Sequence, residues 1–403
     1  MNVDDFNTCN KTEKKIIKYI FYHPGCERRE LCTNFNITKQ AVSLVLTRLA
    51  KAGFIQYKNI NNYFKPGKKP KLLFIKENAF FFLSVLIKNE AVYFSIADSA
   101  LNIIAENSVP NNFTNLEESM IRDLKIHLDA FCSGALKNRM PVMTAIQIYG
   151  PYDNKAGILY GPSASFHAKK FFTEKTGEVL DFTLPLHELF KRYFPGPFCI
   201  DNTIHINSEY IARYTEYKDY NPLLIVDRGL GLSFLNNGCA VRGMDNTSGE
   251  MGRLPDQENI ILGRTAALWT ISRRIQTRMQ NGEKTLAEYS GYSPDIPPEA
   301  LGRGYLQGDS VTISETDKAV NTIWQALKNF VYLMKPRMII FDQEFKPLHE
   351  SINKIFDLSG QYNNYSTHQQ GTELTYIDFS PACRLLAGGW RAADQFFQEF
   401  GVN

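Results

Sequence analysis

A chain of 403 residues with 44% hydrophobic and 22% charged side chains has the composition of a soluble globular protein, with enough apolar material for two or three domains. The longest apolar run, Ala79 to Ile87, is about half of the roughly 20 residues that cross a bilayer; the acidic, polar N-terminus has no secretory pattern; and seven scattered cysteines without a C-x-x-C pair exclude a disulfide framework or a cysteine zinc site, so a cytoplasmic protein with reduced thiols is expected. The net charge of +3 conceals a split: residues 1–78 hold 15 Lys and Arg against 6 Asp and Glu, a net of +9, and the rest hold 30 against 36, a net of −6, which suits a basic head that meets a polyanion and an acidic body that does something else.

In "KTEKKIIKYIFYH" the residues Ile16, Ile17, Ile20 and Phe21 share one face of a helix that "HPG" ends, and "ERRELCTNFN" predicts a second, shorter helix. Thr38 as N-cap and Gly53 as a C-terminal stop bound a third. Within it Val42, Val45, Leu46 and Leu49 follow the i, i+3, i+4, i+7 spacing, which leaves Lys39, Gln40, Ser43, Thr47 and Arg48 outward. "FIQYKNINNYFKPGKKPKLLFI" then predicts a two-stranded hairpin whose tip carries Lys65, Lys68, Lys69 and Lys71. Three helices and a basic hairpin over residues 1–78 fit a winged helix-turn-helix, which would bind double-stranded DNA. Its third helix would enter the major groove, with Gln40 and Ser43 at base edges, Lys39 and Arg48 on phosphate or guanine, Thr38 and Thr47 beside them, and the wing lysines on phosphates. Any one of these elements alone would also suit a solvated amphipathic helix followed by a basic loop.

The wing "PGKKPKLLFI" resembles the G-R-R-P-x-x-L wing of transcriptional regulators of the ROK family, whose name joins repressors, open reading frames and kinases. Lysine in place of arginine keeps the attraction for phosphate but gives up the planar fork. From residue 79 onward the pattern changes. Consecutive strands over 81–110, an amphipathic helix in "NLEESMIRDLKIHLDAFCSGA" and a buried strand with a Gly-containing loop in "VMTAIQIYGPYDNKAGILYG" resemble the opening of the actin-like ATPase fold of ROK sugar kinases and regulators. The resemblance runs to the C-terminus through "GYLQGDSVTISETDKAV" and "SPACRLLAGGWRAADQFFQEF". It implies an α/β body over 79–403 with two lobes, the first about 79–200 plus a C-terminal helix about 385–403, the second about 201–384. It also implies a homodimer or tetramer, whose paired heads would read a palindromic operator.

Motif by motif, the resemblance is to a degraded kinase. The family's D-x-G-x-T phosphate loop corresponds to "IKNEAV", without the Asp, Gly or Thr, and a phosphate cradle needs glycine for close backbone approach. In the N-D element, whose Asp is the family's general base, "CIDNTIHINSE" supplies Ile200 for Asn, keeps Asp201 and keeps Glu209 eight residues on. Asp201 could equally be a strand-end turn or helix cap. "LLIVDRGLGLSFLNNGCAVRG" resembles the second phosphate element, with Asp227, Arg228 and Ser233 replacing Gly, Thr and Gly; its remaining G-x-G would also suit a tight hairpin. In "KPRMIIFDQEF", Asp342 and Gln343 stand where two glycines normally admit the adenosine. Three damaged elements imply no phosphoryl transfer, no catalytic residue and no cofactor.

The family's G-E-x-G-H motif, in which Glu holds sugar hydroxyls and His ligates zinc, corresponds to "TSGEMGRL". Gly249, Glu250 and Gly252 match while Arg253 replaces the histidine. The thiolate loop that follows has become "ILGRTAALWTI", with Ala267 at the last thiolate position and Trp269 at the final sugar-binding Glu. Tetrahedral zinc needs four N or S ligands, so no metal is expected, with Ile261, Leu262 and Leu268 packing in its stead. Asp201, Glu250, Arg253 and Trp269 remain as candidate effector-binding residues. Two readings stay open: a sugar, sugar phosphate or other small anion pairs with Arg253 and stacks on Trp269; or Arg253 bridges to Glu250 or Asp201, Trp269 fills the void, and the body is a dimerisation scaffold. The function expected is a DNA-binding regulator, a repressor of carbohydrate-related genes, against the rivals of a sugar kinase with an appended head and an effector-independent DNA-binding scaffold.

Overall fold

Local signals place the helices of the head. In the computed structural model, Asn10 accepts from the Glu13 amide at 3.0 Å while the Glu13 carboxylate accepts from the Asn10 amide at 2.9 Å, a reciprocal cap that starts α1 (Lys11–Tyr22). Helix α2 (Arg28–Phe35) stops at Asn36, whose φ of 50° is left-handed. The Thr38 hydroxyl accepts from the Ala41 amide at 3.2 Å to open α3 (Lys39–Lys51), which buries Val42, Val45, Leu46 and Leu49 as the spacing predicts. Strands β1 (Ile55–Asn59) and β2 (Lys71–Ile75) pair antiparallel, Ile55 opposite Ile75 and Asn59 opposite Lys71, and form the stem of the wing.

The structure describes residues 6–59, 71–88, 90–111, 118–137, 139–161, 183–194, 196–285, 289, 291, 296–356 and 371–399. Lys65, Lys68 and Lys69 lie outside them. After the wing come β3 (Phe81–Ile87), β4 (Ala91–Asp98), β5 (Ile103–Pro110), α4 (Glu118–Leu136), β6 (Met143–Ile148), β7 (Tyr152–Asp153), β8 (Ile158–Tyr160), β9 (Thr183–Leu184), α5 (Leu186–Tyr193), β10 (Phe198–Asn202) and α6 (Thr203–Tyr214). The chain continues through β11 (Leu223–Val226), β12 (Leu232–Asn236), β13 (Cys239–Ala240), α7 (Leu262–Thr265), α8 (Leu268–Gln280), α9 (Pro298–Leu306), α10 (Ser310–Met334), β14 (Met338–Asp342), α11 (His349–Ile355), β15 (Glu373–Ile377) and α12 (Pro381–Glu399). Among the described residues no helix is long and apolar enough to cross a membrane.

Two compact units result, and each interrupts the other in sequence. The first comprises residues 1–149, 161–201 and 384–403, so it joins the winged head to the sheet β10-β6-β3-β4-β5. The β3-β4-β5 run is an antiparallel meander, and β6 adds to β3 in parallel. Helix α12 packs on this sheet at very close range. A Cβ on Gly388 would overlap Ser84 Oγ and the Gln147 side chain, and Gln147 Nε2 donates to the Arg384 carbonyl at 2.7 Å. The core is aromatic: Phe6 sits 6.1 Å from Phe54, 5.5 Å from Phe80 and 5.1 Å from Phe396, all four rings buried. Each such ring contributes about 1.5–3 kcal/mol by leaving water.

The second unit comprises residues 150–160 and 202–383, with the sheet β13-β12-β11-β14-β15. Strand β11 pairs antiparallel with β12 and parallel with β14, which pairs parallel with β15. Its core gathers Val226, Leu230, Leu262, Ile271, Ile323, Leu327 and Phe341. Asp309 caps the long α10 by accepting from the Thr312 amide at 2.7 Å, and Glu315 ties α10 to α8 through Arg274 at 2.8 Å and Arg278 at 2.9 Å.

Candidate functional site

The cap at Thr38 and the buried stripe of α3 leave Thr38, Lys39, Gln40, Thr47 and Arg48 exposed on the other side, with Ser43 half-buried. Four of these groups already have partners: Thr38 caps the Ala41 amide, and Thr47 Oγ1 donates to the Ser43 carbonyl at 2.8 Å. Ser43 Oγ donates to the Lys39 carbonyl and accepts from Arg28 Nη1, both at 2.8 Å; Arg48 Nη2 lies 2.7 Å from Glu13 Oε1 of α1. Serine thus joins α2 to α3, and Arg48 braces α3 against α1 with its side chain still half-exposed. Gln40 projects into solvent from the first turn, where a major-groove reader belongs. Between α3, the start of α2 and the wing stem runs a groove lined by Arg28, Arg29, Lys39, Thr47, Tyr57 and Lys71, with Lys71 Nζ 5.8 Å from the centre of the Tyr57 ring. Arg28, Arg29 and Tyr57 are not among the residues the sequence reading selects, although the adjacent arginines of "ERRE" were a visible signal.

Of the candidate effector residues, Glu250 and Arg253 come together, the Glu250 Oε2 to Arg253 Nε distance being 3.5 Å. A neighbour the sequence reading passes over completes the group: Asn202 caps α6 with its Oδ1, and its Nδ2 donates to the Gly150 carbonyl at 2.9 Å and to Glu250 Oε1 at 3.2 Å. Burial pushes the Glu250 carboxyl up to about 7, against the opposing pull of Arg253 and with Asp227 adding to the rise. Asp201 is buried in the first unit, its carboxylate 3.5 Å from Arg391 Nη2 of α12. Trp269 fills no void: it is 44% exposed on the first turn of α8, with the Arg273 guanidinium 4.8 Å from the ring centre. Glu209 is structural, binding Arg242 at 3.0 Å and the Ala240 amide at 3.2 Å.

The glycines around Glu250 survive for a packing reason. A Cβ on Gly249 would overlap the Leu232 carbonyl, Gly252 rests against the Gly229 carbonyl, and Gly263 against that of Gly252. In the loop that corresponds to the family's thiolate loop Leu262, Ala266, Ala267 and Leu268 are buried in the core, while Ile261 is only half-buried. Such a donor set does not fit zinc, and among the described residues no group of three or more His, Cys, Asp or Glu is gathered as a metal site requires.

The second phosphate element forms the strand, turn and hairpin that its sequence predicts, with an internal anion at its turn. Asp227 Oδ1 accepts from the amides of Gly229 at 2.9 Å and Gly231 at 2.8 Å. Those are donors a glycine-rich turn would otherwise aim at phosphate oxygens. Asp342 likewise caps the Glu344 amide at 3.1 Å, and Glu344 pairs with Arg228 at 2.9 Å, fastening the two damaged loops to each other.

Residues 10–56 match the family model of winged helix-turn-helix DNA-binding domains. Over 380 residues, 89% of this chain and 88% of the relative, the chain is 21% identical to the xylose repressor of Staphylococcus xylosus. A solved ROK family transcriptional regulator, described as a homologue of the E. coli MLC protein, superposes over 98% of both chains with a TM-score of 0.72 at 14% identity. A ROK family glucokinase from Streptomyces griseus, solved with glucose and AMPPNP, covers 78% of this chain and 99% of its own with a TM-score of 0.57 at 15% identity. The chain therefore carries a winged helix-turn-helix DNA-binding domain and has the fold of that ROK family transcriptional regulator, whose body is shared with ROK sugar kinases.

Proposed function

We propose that this chain is a sequence-specific transcriptional repressor of carbohydrate-related genes that works in the cytoplasm as a homodimer or tetramer on a palindromic operator. The observation that carries this reading is the exposed face of α3, with Gln40 in solvent on its first turn and Lys39 and Thr47 lining a groove shared with Arg28, Arg29 and Lys71. Cations for the backbone and an amide for a base edge are the two classes of contact that DNA recognition needs. The direct test is fluorescence anisotropy of the full chain on its own upstream DNA across a salt series. Tight binding whose strength falls steeply with salt supports the reading; equal, weak binding to every duplex removes it.

In this proposal the body transfers no phosphate. Asp227 satisfies the turn amides that a triphosphate would need and would repel the nucleotide. ATP consumption across a sugar panel that depended on Asp201 would restore the rival reading of a sugar kinase with an appended head. The body instead binds a small carbohydrate-like effector through Asn202, Glu250 and Arg253. A carboxyl near neutrality can donate or accept toward a hydroxyl, and the half-exposed guanidinium suits a sugar phosphate or another anion. Xylose, glucose and their phosphates are the first compounds to test, since the matched relative is named a xylose repressor and a matched kinase was solved with glucose. A ligand that binds the folded state raises the melting temperature; no shift with any of them would leave the effector-independent scaffold.

A further inference from the structure

The reading face carries one large side chain that is neither polar nor charged. Leu44 is 64% exposed in the middle of α3, between Ser43 and the buried Val45. Helical spacing puts it one turn after Gln40 and exposed Ala41 and one turn before Thr47 and Arg48, in a surface whose other large side chains are donors and cations. The neighbouring hydroxyl of Ser43 is engaged at both ends, toward Lys39 and Arg28, so it holds two helices together where a base contact was expected of it. Gln40 and Leu44 are both exposed and stand one turn apart on the same face of the helix.

Resting on the DNA-binding reading above, we infer that Leu44 reads the 5-methyl group of a thymine in the major groove, beside an adenine read by Gln40. The glutamine amide matches the donor and acceptor edge of adenine, and the thymine methyl is the one apolar group the major groove presents. One helical turn advances about 5.4 Å, so the two side chains address neighbouring or next-neighbouring base pairs. Ala41, one turn before Leu44, widens the apolar spot to the size of a methyl group and its surroundings.

The test removes that methyl and nothing else. The full chain is used to select duplexes from a random pool, and the selected duplex is resynthesised with each thymine in turn replaced by 2′-deoxyuridine. At one position in each half-site the substitution should weaken wild-type binding by about three- to ten-fold, the size expected for one buried methyl. Leu44→Ala, with an unchanged melting temperature because the site is exposed, should bind the thymine duplex more weakly and no longer distinguish thymine from uracil there. The inference is overturned if no thymine is sensitive in the wild type, or if Leu44→Ala keeps the same sensitivity. Enrichment without a methyl effect sinks this assignment alone, whereas a chain that enriches no duplex sinks the DNA-binding reading along with it.

Discussion

Glu250 is the residue whose chemistry departs furthest from its sequence-level expectation. Its carboxyl is raised to about 7 by burial, so the folded protein holds a proton that the unfolded chain releases near the ordinary value of 4.5. Stability from this group is complete at pH below about 4.5, declines as pH rises through that window, and levels off above about 7, for a total on the order of 2 kcal/mol after allowance for partial exposure. Glu250→Gln should flatten this dependence and melt higher than the wild type at pH 8, measured by calorimetry at matched salt. If the candidate site holds a sugar, the same variant should weaken its binding at least ten-fold, because the amide can no longer present a negative acceptor. At Gln40, alanine should cost about 1–3 kcal/mol on the preferred duplex and relax preference at one base pair, in the same anisotropy assay.

Among the elements, α12 combines the most roles. From the sheet, where Gly388 allows contact with Ser84 and Gln147, it runs to the head, where Asp394 accepts from Tyr22 Oη of α1 at 2.6 Å. On the same helix Arg391 lies 3.5 Å from both Asp394 and Asp201. Asp201, Arg391, Asp394 and Tyr22 thus form a continuous polar chain from the strand end at β10 to the first helix of the head. Asp394→Ala removes an almost fully buried carboxylate and should destabilise the protein by about 3 kcal/mol, while Tyr22→Phe should cost about 1 kcal/mol, both by urea denaturation. The first and third helices of the head were legible from sequence because each carries a buried stripe, Ile16 to Phe21 and Val42 to Leu49, and the third also its Thr38 cap. The β11-turn-β12 element was legible from its two glycines and flanking apolar runs. What the sequence did not disclose depends on chain segments far apart: Asn202 as the partner of Glu250, Arg391 as the partner of Asp201, Ser43 as the link to Arg28. For Trp269 the sequence left a stacking face and a void filler open, and its exposure, set by how α8 packs, speaks against the second only.

For the molecule as a whole, the head and the first sheet share one core. Phe6, Phe54 and Ile55 of the head touch the cluster of Phe80, Phe82, Phe396 and Phe397, and Phe21 lies 4.5 Å from the Phe397 ring. A fragment of residues 1–78 would expose these rings, so it should show no cooperative thermal transition. A fragment restoring 79–149, 161–201 and 384–403 around the head by fusion should melt as one unit. The charge split has its own signature: replacing Lys68 and Lys69 by alanine should lower the slope of log affinity against log salt by about 2 while leaving sequence preference intact. At the other end of the chain's chemistry, Asp227 has given the phosphate cradle a permanent occupant. On the proposed reading this occupant shuts out ATP, so the grip on DNA should be the same with and without the nucleotide at equal effector concentration, and a gene under such control would answer to the nutrient at hand and not to the energy supply.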